Sequence, residues 1–497
     1  MKEVYEGSEV GFFMRRGLVL ASIMLAMFLA AIEATIVSTA MPGIVADLGG
    51  FSLYSWVFSA YLLTNASTVL LFGKLSDTYG RKPIFMLGIC LFLLGSIIAA
   101  LANGMVVLIA ARFVQGLGAG ALMPIATTIV GDIYSKEERA KIQGYLSSVW
   151  GISAVTGPLL GGFFVDVLSW PFVFWMNLPL GMLALTGVML FFKEDVEKQE
   201  ARISYKSSIY VMLMVSLVVL MLVEGGIGIA WLSLEMLILF LTALGSFILF
   251  RQAEKKTSTP MLPLHLWENR SIRYANLTSL TTGMILIGVS SYLPAFVQGV
   301  MEQSATVAGF TLTTMSIGWP IAATLAGRLL LKAGFRFTSI VGGCSLIIGA
   351  VLFSLLSPEK GPVFAAVGSL FIGIGMGFST TSFIVSIQNS VDWKMRGIAT
   401  ASNMFMRTLG SALGAAVLGG LLNNRIHQSL EQEGLDQEYS VDSTNLLLNE
   451  EARSELSAQA LTVFREGLTN GLHQVYVGLL ILAVISFLLI LRLPKNG

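Results

Sequence analysis

The chain has 497 residues, 55% of them hydrophobic and only 12% charged, against roughly 25% charged in a soluble domain. That composition excludes a soluble enzyme or nucleic-acid binder and identifies an all-α polytopic membrane protein; the net charge of +1 carries little information, because what matters is where the charges sit. Cys90 and Cys344 both fall in apolar runs and read as small buried hydrophobes, while His265, His427 and His473 are too scattered to hold a metal.

In chain order, residues 1–16 read as a cytoplasmic segment. The apolar run that follows Arg15 and Arg16 is longer than the apolar region of a signal peptide and carries Glu33, so it reads as a retained first span. Fourteen stretches are apolar enough to be spanning helices, near 17–40, 54–73, 84–102, 105–130, 142–164, 171–192, 207–224, 229–250, 273–298, 306–330, 337–357, 361–388, 398–422 and 472–492. With the N-terminus in the cytoplasm, the cytoplasmic segments collect 25 of the 31 Lys and Arg. The outer loops hold Lys360, Arg425, Arg453 and Arg465, and only Arg112 and Arg407 lie inside spans. This bias predicts fourteen spans with both termini cytoplasmic.

An internal repeat divides the spans. GKLSDTYGRK at Gly73 matches GRLLLKAGFR at Gly327, an offset of 254, and QGLGAGA at Gln115 matches IGIGMGF at Ile372, an offset of 257. The predicted organisation is a six-helix bundle (17–192), a linker with two inserted helices (193–250), a cytoplasmic loop (251–272) and a second six-helix bundle (273–497). Parallel repeats of this kind place a substrate site between the halves, near the bilayer midplane. The outer loop 423–471 has nine acidic residues and three arginines, and apolar residues at helical spacing from about Asn449 to Asn470 predict an amphipathic helix leading into the last span.

The motifs then support a resemblance. GKLSDTYGRKP (Gly73 to Pro83), RFVQGLGAGA (Arg112 to Ala121) and GISAVTGPLLGG (Gly151 to Gly162) resemble the loop 2–3 signature, helix-4 motif and helix-5 antiporter motif of the major facilitator superfamily. With IEATIVSTAMP in the first span, the chain resembles the fourteen-span drug:proton antiporter family from Leu18 onward. It departs from that family in having Glu33 in place of Asp, WPF at Trp170–Phe172 in place of Trp-Arg-Trp, and no acid matching Asp77 in the second half. The resemblance implies the major facilitator fold, a bacterial plasma-membrane location, and multidrug efflux driven by the proton gradient with no cofactor. It also implies a conformational latch in which Asp77 pairs with Arg81 and with Asp132, around the turn glycines Gly73 and Gly80.

The residues suggest their own chemistry. In the helix-5 motif, Gly151, Gly157, Gly161 and Gly162 present small surfaces for close helix packing and Pro158 bends the helix. Glu33 lies on a narrow face with Ser22, Ala26, Ala30, Val37 and Ala40, directed at protein or a cavity, where Arg112 of helix 4 is placed to pair with it. A carboxyl that gains and loses such a partner binds and releases a proton; the bland alternative is a static ion pair. Tyr61, Asn65, Gln115, Trp150, Asn177, Tyr292, Gln298, Trp319, Gln388, Asn403 and Arg407 are the candidate cavity residues, with Arg407 either bonding carbonyls or facing cargo. The expected function is proton-coupled export of small lipophilic, often cationic, compounds by a monomer embedded in the lipid bilayer, with no nucleic-acid partner. A lipid or metabolite exporter of the same fold is the rival. A receptor or enzyme is opposed by the lack of any nucleophile–base set, metal cluster or nucleotide loop.

Overall fold

The computed structural model describes residues 2–134, 136–194, 205–225, 229–230, 232–256, 264–391, 395–435, 438–448 and 457–494. The first half comprises α1 (Lys2–Leu48), α2 (Tyr54–Tyr79), α3 (Arg81–Ala100), α4 (Met105–Ile133), α5 (Lys136–Phe163), the single turn α6 (Phe172–Trp175) and α7 (Asn177–Phe191). Next come α8 (Tyr205–Glu224) and α9 (Leu234–Lys256). The second half comprises α10 (Arg270–Gly299), α11 (Ala305–Ser354), α12 (Gly361–Asn389), α13 (Arg396–Gln432), the short α14 (Thr444–Leu448) and α15 (Ala458–Leu491). Such continuous helices suit these apolar sequences because a helix satisfies its own backbone polar groups without water.

Among the described residues, twelve stretches are long and apolar enough to cross a membrane, where the sequence predicts fourteen. Two physical causes account for the difference. The predicted spans 306–330 and 337–357 lie within the single 50-residue α11, which breaks at Gly334 with φ 77° and ψ 169°. The predicted span 207–224 appears as the shorter apolar stretch Ile209–Leu222 within α8. Gly334 stands 254 residues after Gly80, whose φ of 96° turns the chain from α2 into α3. The sequence repeat therefore places a glycine with the same left-handed backbone at corresponding turns of the two halves.

Each half has its own apolar interior. In the first, Ile23, Phe85, Phe92, Leu122, Ile125 and Val188 pack together from four helices. The inserted α8 sits on the seam between the halves, where Val211, Val215 and Val219 meet Leu63 and Ala66 of α2 and Phe405 and Ala416 of α13. α9 packs on α8 and exposes most of its residues, Glu235 among them. Cys90 and Cys344 are exposed on their helices, which corrects the expectation that both are buried.

The ends of the molecule differ. At the basic end, which carries Gly80 and Gly334, Glu194 accepts from the backbone N–H of Arg81 at 2.7 Å and of Lys82 at 2.8 Å, meeting two of the orphan donors at the start of α3. Lys82 in turn donates to the carbonyls of Met189 and Phe192 at the end of α7, at 2.9 and 2.6 Å. At the opposite, loop end, α13 and α15 run on past their predicted limits and pack as a helical pair, with Ile426 and Leu430 buried alongside Phe464 and Leu468. The predicted outer helix is thus the first part of α15, capped by Ser457 and continuous with the last span; residues 449–456 lie outside the described residues.

Gly327 and Gly334 both have open space where a side chain would stand, and only Gly334 has a positive φ. Gly334→Val is therefore expected to lower stability by about 1–2 kcal/mol more than Gly327→Val, read as a lower thermal unfolding midpoint in detergent.

Candidate functional site

Glu33 and Arg112 are an ion pair with 0% and 1% exposure. Arg112 also donates to the Gln115 side-chain oxygen at 2.6 Å and to the Val57 carbonyl at 3.3 Å, and its guanidinium lies 4.2 Å from the centroid of the Tyr61 ring. The second Glu33 oxygen accepts from Asn177 at 2.9 Å. Ser96 closes the group, accepting from Gln115 at 3.0 Å and from Asn177 at 3.2 Å. Val57 and Tyr61 from α2, Ser96 from α3, Gln115 from α4 and Asn177 from α7 therefore surround the pair. Burying either charge alone costs several kcal/mol, and the cost is offset only when the partner and the remaining hydrogen bonds are in place.

Tyr61, Gln115 and Asn177, candidates for the cavity wall, are thus occupied by the ion pair, and Asn65 hydrogen-bonds the Tyr61 hydroxyl. Ser96 and the Val57 carbonyl had no signal in the sequence, since a serine in an apolar run commonly bonds its own helix, as Ser96 also does to Phe92 at 3.0 Å.

A second constellation joins the halves at the loop end. The Tyr54 hydroxyl donates to the Ser291 carbonyl at 2.6 Å, and its ring stacks on Tyr292. Tyr292 contacts the Ser55 hydroxyl at 3.1 Å, and Gln298 donates to the Thr39 carbonyl at 3.0 Å. Tyr292 also donates to the Ala415 carbonyl of its own half at 2.9 Å, so Tyr292 and Gln298, expected at the cavity wall, stand here at the contact between the halves. The single π-helical turn Phe164–Leu168 brings Asp166 to the start of α11, where it accepts from the backbone of Ala305 at 3.2 Å and of Thr306 at 2.8 Å. Outside these, Asp442 accepts from the Ser52 amide at 2.9 Å and Asn423 donates to the Ser52 carbonyl at 2.7 Å.

The helix-5 motif lies between these two constellations. Gly157 and Gly161 face α1; a methyl on Gly161 would stand 2.6 Å from the Ile36 carbonyl oxygen. Gly162 faces the other half, with Cα of Thr306 2.6 Å from where its methyl would lie, and Gly309 of α11 is seated against the Pro158 carbonyl. Gly151 has no such neighbour, and Trp150 beside it is exposed.

At the basic end Arg81 pairs with Asp132. Both belong to the first half, so this pair joins α3 to α4 and does not itself bridge the halves. Gly73 has open space beside it, and the Asp77 side chain lies outside the described residues. In the second half, Asn403 donates to Asn276 at 3.0 Å and to Ser279 at 2.8 Å, and Asn276 donates to Ser402 at 3.2 Å, a neutral cluster of which sequence reasoning found only Asn403. Gln388 donates to Thr400 at 3.3 Å. Arg407 meets Trp319, 5.9 Å from guanidinium carbon to ring centroid.

Residues 23–415 match the sequence profile of the Major Facilitator Superfamily. The chain belongs to that superfamily. It is accordingly a transporter and not an enzyme, a multi-pass protein of the plasma membrane. Multidrug resistance protein 3 of Bacillus subtilis (strain 168) is 36% identical over 408 residues, covering 82% of this chain and 79% of that protein. The multidrug transporter protein MdtP of the same organism is 34% identical over 415 residues, 83% of this chain and 76% of its own length. Among solved structures, a bacterial homolog of the human lysosomal transporter Spinster, in an inward-facing and unoccupied conformation, aligns with a TM-score of 0.66 over 96% of this chain and 98% of that one. At 16% identity that likeness speaks for the fold alone.

Two outcomes are expected from this geometry. Arg112→Gln should destabilise the protein by about 3–5 kcal/mol by stranding a buried carboxylate, and the double variant Glu33→Gln with Arg112→Gln should recover part of the loss, read by thermal unfolding of both. Gly309→Val should force the halves apart at the loop end. The distance between spin labels at Leu101 and Lys360, measured by pulsed EPR after replacing both native cysteines, should lengthen relative to the parent.

Proposed function

We propose that this transporter is a proton-coupled antiporter that exports lipophilic compounds, drugs among them, by alternating access. The carrying observation is the buried Glu33–Arg112 pair beside the helix-5 motif at the junction of the halves. A carboxyl whose ionised state depends on one guanidinium and one amide changes its proton affinity whenever those helices shift. Glu33 takes a proton from outside, loosens Arg112, and returns the proton to the cytoplasm as cargo leaves. The names of the relatives, a multidrug resistance protein and a multidrug transporter, support drugs as cargo.

Fourteen spans with cytoplasmic termini form part of this reading, supported by the Gly334 break in α11, by the apolar α8 and by the distribution of Lys and Arg. In that orientation the contact between the halves is a closed gate facing outward, and the state is inward-facing. Arg81, Asp132 and Asp77 then act as a latch that favours the outward-open state. The expected preference for cationic cargo rested on cavity aromatics and on Glu33 as the well-placed acid; with Glu33 held by Arg112, the cargo needs no positive charge. Lipid export is not favoured, because Leu447, Phe464 and Leu468 of the outer segment are buried in the protein and do not offer an apolar face to the bilayer.

The test is proteoliposomes with an imposed pH gradient, using ethidium and 2-naphthaleneacetate as lipophilic cargo of opposite charge. Gradient-driven movement of at least one is expected in wild type, falling at least tenfold in Glu33→Gln. A folded Glu33→Gln protein that transports as well as wild type removes Glu33 from the coupling step.

A further inference from the structure

Arg407 is a charged group deep in the spanning region that the coupling step leaves unused. It lies eleven residues into α13, roughly 16 Å along the helix axis. Among the described residues its guanidinium has no hydrogen-bond or ion-pair partner, and its directed contact is the face of Trp319. The helices involved make the direction of that contact informative. α13 packs on α10, α15 and α2, whereas α11 packs on α12, α5 and α15. Arg407 therefore reaches Trp319 across the interior of the second half and not along a packed seam. Polar side chains one turn away on α13 are committed elsewhere: Asn403 donates to Asn276 and Ser279, and Ser411 to the carbonyls of Gly283 and Arg407 itself.

An arginine in the membrane interior without a counter-charge is expensive, and such a group marks a substrate or ion path. The acid that would neutralise it, Glu33, is already held by Arg112 and Asn177. Arg407 therefore keeps its full positive charge, which selects against cations beside it. We propose that Arg407 and Trp319 form a subsite for the acidic group of an amphipathic organic anion. The planar guanidinium takes the carboxylate through two parallel N–H···O bonds, while the indole face holds the guanidinium plane and borders the cargo's apolar body. Arg407 is in this sense a specificity-determining residue. The inference rests on the efflux reading for the existence of organic cargo, but it concerns binding and requires no proton coupling.

Isothermal titration of the full-length protein in nanodiscs, with empty nanodiscs as blank, tests it with three probes that share one ring system: 2-naphthaleneacetate, 2-naphthaleneacetamide and protonated 2-(2-naphthyl)ethylamine. The acetate should bind wild type about tenfold or more tighter than the amide, with the amine weakest. Arg407→Gln should bind acetate and amide equally, with an unfolding midpoint within a few degrees of wild type. If Arg407→Gln does not fold, Arg407→Lys keeps the charge but lacks the planar fork, and its acetate preference should fall severalfold. An acetate preference as large as that of wild type in either folded variant overturns the subsite. So does a wild type that prefers the amide or the amine, or that binds none of the three. Failure of the antiport reading is separate: it appears in the gradient assay as an unimpaired Glu33→Gln and leaves the titration result standing.

Discussion

The first half depends on an ion pair buried away from water. Glu33 and Arg112 each cost several kcal/mol to bury, and their mutual attraction offsets this only with every remaining donor and acceptor met. Asn177, Gln115, Tyr61 and the Val57 carbonyl contact the pair and Ser96 braces Gln115 and Asn177, which ties five helices to one carboxylate. Six residues further along α1, roughly 9 Å by helical rise, the Thr39 carbonyl accepts from Gln298 of the other half. Between those points α1 seats Gly157 and Gly161 of α5. A change of charge at Glu33 therefore acts on the same helix that helps close the gate.

The contact between the halves is light. Its hydrogen bonds are few and mostly neutral, through Tyr54, Ser55, Gln298 and Asn423, with Asp166 and Asp442 accepting from backbone amides. Its close approaches run through glycine, with Gly162 against Thr306 and Gly309 against the Pro158 carbonyl. Small residues let backbones meet over a short stretch without interlocking large side chains, so a rigid half can leave such a surface without repacking its own core.

The halves share a backbone but not a chemistry. Gly80 and Gly334 turn the chain at equivalent points, while at the offset of 257 Arg112 maps onto Ser369, and the second half carries instead a neutral cluster of Asn276, Asn403, Ser279 and Ser402 between α10 and α13. A repeat preserves what packing demands, namely small residues and turns, and leaves polar side chains free to diverge. Arg407, which stands at the offset of 257 from Trp150, is a cation with no acid paired to it among the described residues.

Hydropathy alone determined that the chain is a helical membrane protein, because leaving water is a property each residue carries locally. The repeat located the turns, and helical spacing directed Glu33 toward Arg112 and put the helix-5 glycines on packing faces. Tertiary structure decided which polar groups answer one another. Tyr61, Gln115 and Asn177 look alike in sequence to Tyr292, Gln298 and Asn403, yet three serve an ion pair, two close a gate and one joins a neutral cluster. It also decided that Cys90 and Cys344 are exposed and that the outer helix continues into α15. The physical reason is range: a hydrogen bond forms only within about 3 Å, and the distances between helices far apart in sequence are set by the packing of the whole bundle.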